Sequence, residues 1–214
     1  MRTVNRFNLY SDVYLHNVGG STTTLTRGKR ARDPEFSLDG SSLLVVTNET
    51  QNNQLKRLRI DQRMSQLTEH TDHTQYSTPK YSPDGKWIAT SMWHQGQRDL
   101  WILDADANPI RQLTNDWALD TEPRWSPDGR TLYFSSDRTG IYNIFAIDLE
   151  TETLYQVTNV RTGAFTPSIN HAEDTLLFTV YHHWGYGIAQ MPIDRNQWIE
   201  VASISPESED ALHT

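Results

Sequence analysis

The chain contains histidine and acidic side chains, which are the residue types that could bind a metal ion. His182 and His183 are adjacent, and His94 and Asp137 lie elsewhere in the sequence. Adjacent residues of a strand point to opposite faces, so only one histidine of the pair could reach a shared ion. No His-x-x-Glu-His or Glu-x-x-His motif places two ligands on one element, and no loop has the closely spaced acids of a calcium site. We therefore predict no metal and no cofactor.

Residues suited to covalent or phosphate chemistry form no recognisable pattern either. The chain lacks Gly-x-Ser-x-Gly, the nucleophile elbow of hydrolases, and it has no cysteine. No glycine-rich phosphate-binding loop lies between a strand and a helix. The Asp-Gly pairs are typical of turns, where the carboxylate bonds nearby backbone amides. The sequence therefore predicts a protein without enzymatic activity of its own.

Charge and hydropathy exclude two further classes of partner. The net charge of -8 and a pI near 5.4 disfavour nucleic acid, whose phosphates attract clustered Lys and Arg. The one basic cluster (Arg27, Lys29, Arg30 and Arg32) is interpreted as a solvated loop. No stretch approaches the 18 apolar residues of a transmembrane helix, and residues 1–6 lack the apolar core of a signal peptide. We expect no nucleic acid partner and no transmembrane segment in this chain.

A repeat of 44 or 45 residues indicates which elements must position these side chains. The segment Tyr81–Gly85 reads Tyr-Ser-Pro-Asp-Gly, and it returns 44 residues later as Trp-Ser-Pro-Asp-Gly in Trp125–Gly129. Each copy holds four short apolar or alternating segments, and an Asp-Gly pair between two of them is a strong hairpin signal. Four strands in about 44 residues are typical of a β-propeller blade, which buries its apolar faces only by stacking on its neighbours.

The repeats resemble those of TolB-like propellers, the WD-like family of the Tol-Pal system. Residues 123–158 match the family pattern almost completely, including Ser-Asp-Arg-Thr-Gly at 136–140. Residues 79–114 also match, whereas 34–68 lack the turn proline and 167–194 lack the Asp-Gly pair. The resemblance covers about 160 residues and implies the propeller fold.

The repeat predicts an all-β protein with four full four-stranded blades plus a half blade, forming an incomplete, open propeller. We place the half blade at 1–30 and the blades at 31–74, 75–118, 119–163 and 164–205. Residues 206–214 are polar and are interpreted as a linker or truncated tail. The half blade supplies only two outer strands, and too few residues follow position 202 to supply two inner ones. We therefore expect the ring to stay open, with missing blades or further domains in a longer protein.

Propeller geometry brings the inter-blade loops, and the loops between second and third strands, to one face, which we call the loop face. Loops on a rigid scaffold commonly carry binding residues, and Trp and Arg are common anchors. The predicted partner-binding residues are Trp117, Asp120, Glu122, His94, Arg98, Arg138, His183 and Trp184. Four dipeptides are expected to line the central channel: Arg32–Asp33, Ser77–Thr78, Thr121–Glu122 and Phe165–Thr166. The opposite face, formed by the Asp-Gly hairpins, is expected to be nearly inert.

The family resemblance implies a non-catalytic scaffold of the periplasm or cell envelope that binds a protein or peptide. An alternative is the substrate-gating propeller of a prolyl-oligopeptidase-like or tricorn-like peptidase, whose catalytic domain would lie outside this chain. A third is an envelope protein in which a membrane domain follows the propeller. A downstream Gly-x-Ser-x-Gly motif in the full reading frame would favour the peptidase.

Overall fold

The protein consists of antiparallel β-sheets. The computed structural model describes residues 2–5, 8–50 and 52–201, and within these ranges the only helix is one 3-10 turn, η1 (Arg195–Gln197). The N-terminal part forms two hairpins: β1 (Arg2–Asn5) with β2 (Asn8–Tyr10), and β3 (Tyr14–His16) with β4 (Thr22–Thr24). The second hairpin lies within residues 1–30, where two strands of a half blade were predicted, whereas the first hairpin was not predicted. The predicted tail at 206–214 lies outside the described residues.

Four larger sheets follow, which we number as blades 1 to 4. Blade 1 contains β5 (Arg32–Phe36), β6 (Ser42–Thr50), β7 (Asn52–Arg59) and β8 (Met64–Gln66). Blade 2 contains β9 (Gln75–Tyr81), β10 (Trp87–His94), β11 (Gln97–Asp104) and β12 (Pro109–Gln112). Blade 3 contains β13 (Asp120–Trp125), β14 (Thr131–Ser136), β15 (Asn143–Asp148) and β16 (Leu154–Gln156). Blade 4 contains β17 (Ala164–Ile169), β18 (Thr175–His182) and β19 (Gly185–Pro192).

The sheets are arranged radially around a shared axis. The first strand of each blade lies beside the first strand of the next, so β5, β9, β13 and β17 are neighbours in sequence order. A separate apolar cluster fills each space between successive sheets. Every residue of β14 is buried because blade 3 has a blade packed on each of its faces. This arrangement confirms the predicted all-β propeller.

The Asp-Gly motif forms the turn between the first and second strands, as predicted. In blade 3, Ser126 Oγ donates to Asp128 Oδ1 at 2.6 Å, and the same oxygen accepts the backbone N–H of Arg130 at 2.9 Å. Gly129 has a φ of +72°, a left-handed conformation that a residue without Cβ adopts at low cost. In the fourth copy Glu173 holds this conformation with a φ of +55°. Its turn is bonded instead by the side chain of Asn170.

A threonine latch closes each of the first three blades and the half blade. In blade 2, Thr114 Oγ1 accepts the backbone N–H of Leu100 at 3.0 Å and donates to Asp99 at 3.3 Å. The latch thus satisfies a buried donor of the third strand with a side chain that follows the fourth. Its copies are Thr26 with Val13 and Asp12, Thr68 with Leu55 and Gln54, and Thr158 with Ile144 and Asn143.

The last strand, β20 (Ile199–Val201), departs from the predicted arrangement. It pairs with β16 as a fifth strand of blade 3, so blade 4 has three strands among the described residues, where four were predicted. The repeat spacing puts Gly187 and Ala202 at the latch positions of blade 4. Neither glycine nor alanine has a side chain that can form the latch, and β20 pairs with β16 rather than with β19. Trp198 instead packs against Tyr133 and Tyr155, with 5.7 Å between ring centroids in both pairs.

Candidate functional site

A buried ion pair holds the loop between blades 2 and 3. The guanidinium of Arg138 donates to Asp116 Oδ2 at 2.9 Å and to both carboxylate oxygens of Asp120 at 2.8 Å. The side chains of Arg138 and Asp120 are 5% and 0% exposed. Their attraction is strong because water is excluded, and the two bonds to Asp120 fix the orientation of the guanidinium.

A third buried carboxylate, Asp99, lies in this cluster, and among the described residues no cation pairs with it. It accepts hydrogen bonds from Thr114 and Gln112. Burial, followed by the negative charge of Asp120, raises the pKa of Asp99 to about 7. Burial also raises the pKa of Asp120, and the Arg138 guanidinium partly offsets that rise. Asp99 therefore titrates near neutral pH.

The ion pair and two further bonds present Trp117 to solvent. Asp116 accepts the backbone N–H of Ala118 at 2.9 Å, and Asp137 accepts that of Leu119 at 2.8 Å. Trp117 lies at the tip of this braced loop and is 63% exposed. A large ring held in water by a rigid loop can bind an apolar group with little loss of conformational entropy.

The first strands carry a bulge where each passes the axis. The residues before the four repeat prolines have positive φ values of 48° to 57°: Asp33, Thr78, Glu122 and Thr166. The pairing register with the second strand shifts at the same place in all four blades. Proline has no N–H to give to the ladder and disfavours the right-handed helical conformation in the preceding residue. The bulges lie within the dipeptides predicted to line the channel.

Side chains at these bulges join neighbouring first strands. The carboxylate of Asp33 accepts the backbone N–H of Thr78 at 3.0 Å, and that of Glu122 accepts the N–H of Thr166 at 2.7 Å. Glu122 also accepts from Ser135 Oγ at 2.8 Å. The oxygen of Glu122 that makes these bonds thus holds blades 3 and 4 together at the axis.

Arg98 and Arg32 both lie near the channel, but they have different partners. Arg98 bonds hydroxyl groups. Its Nη1 donates to Ser77 Oγ at 2.9 Å and reaches Ser91 Oγ at 3.5 Å. Within the described ranges no carboxylate lies at ion-pair distance from Arg98, whereas Arg32 pairs with Asp33 at 2.6 Å. Burial, and then the nearby positive charge of Arg32, lower the pKa of Arg98. A half-buried guanidinium in this position would gain from an added negative charge.

The remaining predicted residues lie at two other places on the loop face. His94 is half-buried, with Thr74 Oγ1 3.1 Å from its Nδ1 and Trp101 against its ring. His183 and Trp184 form the exposed tip of the β18–β19 hairpin, where Trp184 is 71% exposed. Trp184 stacks on His182, with 4.5 Å between ring centroids.

The structure therefore separates the eight predicted residues into three groups. Trp117, His183 and Trp184 are exposed on the loop face, and His94, Arg98 and Glu122 are half-buried. Asp120 and Arg138 are buried and paired with each other, so they position the Trp117 loop and do not offer a surface to a partner. Sequence reasoning missed Asp99. Its position, one residue before the apolar run of the third strand, can be located in every unit from the repeat spacing, and that spacing is the signal that could have identified it.

The hairpin face, expected to be nearly inert, also holds an apolar pocket. Its volume is about 360 Å³, and it lies between blades 2 and 3. It is lined by Trp87, Ile102, Ile110, Arg111, Trp125, Gly129 and Leu149. Arg111 at this pocket pairs with Glu152 at 2.8 Å, so its charge is already compensated.

The part of the chain that the structure describes was searched for metal-binding groups and for membrane-spanning helices. No group of three or more His, Asp or Glu side chains there could hold a metal ion. None of its helices is long and apolar enough to cross a membrane.

The chain is a β-propeller, as its repeat and its radial sheets show. Comparison with protein-family models identifies its family. The model described as the TolB β-propeller domain matches residues 19–211. The chain belongs to the TolB β-propeller family, as its repeat motifs predicted. No curated protein matches the sequence.

Solved structures show the same fold at low sequence identity. TolB from Acinetobacter baumannii is 21% identical with a TM-score of 0.74, over 85% of this chain and 45% of that one. A putative TolB from Agrobacterium tumefaciens is 18% identical with a TM-score of 0.51, over 84% and 83%. A puromycin-hydrolyzing peptidase from Mycobacterium tuberculosis is 16% identical with a TM-score of 0.64, over 88% and 35%. The chain thus spans about half the length of Acinetobacter TolB.

Proposed function

We propose that this chain is a non-catalytic scaffold of the bacterial cell envelope that binds a protein or peptide on its loop face. The observation that carries the proposal is Arg98, a half-buried guanidinium beside the channel that bonds only serine hydroxyls among the described residues. A carboxylate from a partner would form a charge-assisted hydrogen bond with it and offset its desolvation. The membership of the TolB family supports the envelope location.

Exposed aromatic rings supply the apolar part of the proposed surface. Trp117 and Trp184 are 63% and 71% exposed on loops of different blades, so they offer two anchor points on the same face. Tryptophan and arginine are the residue types that contribute most to protein interfaces. The expected partner segment therefore combines an acidic group with an apolar side chain.

Site-specific photo-cross-linking tests which face binds. A benzophenone amino acid at position 117 or 184 is expected to cross-link to one discrete envelope protein from an extract of the source bacterium. The same amino acid at Lys86 or Arg130, both on the hairpin face, serves as the matched control and is expected to give no such product. Efficient cross-linking from 86 or 130, with none from 117 or 184, would contradict the proposal.

A second candidate is the propeller of a larger peptidase, which the likeness to the Mycobacterium tuberculosis puromycin-hydrolyzing peptidase supports. In that case the loop face would meet a catalytic domain supplied by another part of the polypeptide. Both candidates predict that the purified chain leaves a bound peptide intact. Mass spectrometry showing cleavage by the chain alone would contradict both.

A further inference from the structure

The apolar pocket on the hairpin face lies between blades 2 and 3, which both have all four strands. Trp87, Ile102 and Ile110 line it from blade 2, and Trp125 and Leu149 line it from blade 3. Its volume of about 360 Å³ is comparable with that of small-molecule sites, which are about 300–1,000 Å³. The pocket is therefore large enough for a small ligand, and ordered blades form both of its sides.

The corresponding space between blades 3 and 4 contains an indole ring. By strand register, Tyr155 of blade 3 is the equivalent of Arg111 at the pocket. The ring of Trp198 packs against Tyr155, with 5.7 Å between ring centroids. The guanidinium carbon of Arg195 lies over the same indole, 5.2 Å from its centroid. The chain thus fills this junction with its own aromatic side chain.

The pocket is open because the repeat supplies smaller side chains between blades 2 and 3. The residues 44 positions before Arg195 and Trp198 are Thr151 and Leu154. Leu154 is buried in the apolar cluster between blades 2 and 3, just as Trp198 packs against the cluster between blades 3 and 4. An isobutyl group fills less of this space than an indole, and Thr151 is exposed. The group that this junction lacks is therefore a planar ring.

The charges at the pocket favour a neutral ligand. Arg111 at the rim pairs with Glu152 at 2.8 Å, so a charged ligand would have to compete with an existing ion pair. The other lining side chains are apolar and include the indoles of Trp87 and Trp125. Trp125 Nε1 donates to Lys80 O at 3.0 Å, which fixes the orientation of that ring. Aromatic rings pack favourably on one another in offset or edge-to-face arrangements.

We propose that this pocket binds a small, planar and neutral aromatic molecule of about the size of indole. The molecule takes the place between blades 2 and 3 that Trp198 takes between blades 3 and 4. Its binding removes apolar surface from water, above all that of Trp87, which is 38% exposed. The pocket lies on the face opposite to the proposed partner surface, so this inference does not depend on the proposed function.

Fluorine NMR with 5-fluoroindole as the probe tests the site. The unmodified chain is expected to shift the probe resonance saturably, with one site per chain. Trp87→Thr gives blade 2 the residue that blade 3 has at the equivalent position, Thr131, and removes one aromatic wall. It is expected to raise the dissociation constant at least ten-fold. Ile141→Thr is the matched control because Ile141 is similarly exposed, at 40%, on the loop face, and it is expected to change nothing.

Leu154→Trp tests the site from within the chain, because the introduced indole has the repeat position of Trp198. It is expected to occupy the pocket and to raise the dissociation constant of 5-fluoroindole at least ten-fold, while a cooperative thermal transition shows that the variant is folded. The absence of a saturable shift with the unmodified chain overturns the proposal. Unchanged binding by Trp87→Thr or by folded Leu154→Trp, or an equal loss in Ile141→Thr, overturns it as well.

Discussion

The buried cluster of Arg138 shows how one cation can organise several carboxylates. Asp116 and Asp120 share its guanidinium, while Asp99 remains within reach of their negative charge. Removal of the cation would leave three buried acids without compensation, which is far more costly than loss of an exposed pair. Arg138 lies within the Ser136–Gly140 motif, so the segment that carries the family resemblance also supplies this cation.

Asp99 makes stability depend on pH in a predictable direction. Its pKa is about 7 in the folded chain, against an ordinary value of 3.8 for an aspartate, so the folded form retains a proton that the unfolded form releases. Stability from this group is therefore complete below pH 4 and is lost as pH rises to 7. Asp99→Asn is expected to remove that loss and to raise the free energy of unfolding at pH 8 by about 2 kcal/mol. Urea denaturation at pH 5 and pH 8 measures it.

The reciprocal change provides the control. Asn143 occupies the same latch position in blade 3 and accepts from Thr158 at 3.0 Å. Asn143→Asp is expected to lower stability more at pH 8 than at pH 5, because it introduces a buried carboxylate. If the difference between Asp99→Asn and the unmodified chain were the same at both pH values, Asp99 would not be the titrating group.

At the scale of the element, the threonine latch gives a physical reason for the Leu-Thr ending of the repeat. Thr158→Val removes the acceptor of the Ile144 N–H, a bond of 2.8 Å in the core. Leaving a buried donor unsatisfied costs about 1–3 kcal/mol. Thr158→Val is therefore expected to lower the free energy of unfolding by that amount, as measured by urea denaturation. Thr158→Ser, which keeps the hydroxyl and loses the methyl group, should lose less than half as much. A Thr158→Val variant as stable as the unmodified chain would show that the latch does not stabilise the blade.

Strands and turns could be predicted from the sequence because their signals are local. Asp128 and Gly129 mark a turn through bonds that span only a few residues. The pairing of β20 with β16 could not be predicted, because it depends on a missing latch in blade 4 and on Trp198 packing across blade 3. Tertiary contacts thus decide where β20 pairs.

The residues of the candidate site also fall into two groups, those whose place could be predicted from the sequence and those whose burial could not. Trp117 and Trp184 were predicted to lie on the loop face, and they do, because loop position follows from the repeat alone. Asp120 and Arg138 have the same kind of position in sequence, but each is buried by a partner 18 residues away. Side-chain pairing across loops leaves no signal in a single sequence.

At the scale of the whole molecule, the propeller has two chemically different faces. The loop face has exposed tryptophans and Arg98, with which no described carboxylate pairs, whereas the hairpin face has an apolar pocket beside Arg111, which Glu152 already neutralises. Arg98 and Arg111 can therefore be compared directly, one on each face of the same protein. In the proposed function, a partner's carboxylate binds Arg98 on the loop face.

Peptides that bind the chain are first selected from a random display library. Isothermal titration calorimetry with these peptides tests the role of Arg98 most directly. The selected peptides are expected to combine an acidic group with an apolar side chain. Arg98→Gln is expected to weaken their binding at least ten-fold, which corresponds to about 1.4 kcal/mol, while Arg111→Gln leaves it unchanged. Unaltered binding by Arg98→Gln, together with loss of binding by Arg111→Gln, would contradict the account and assign the site to the hairpin face.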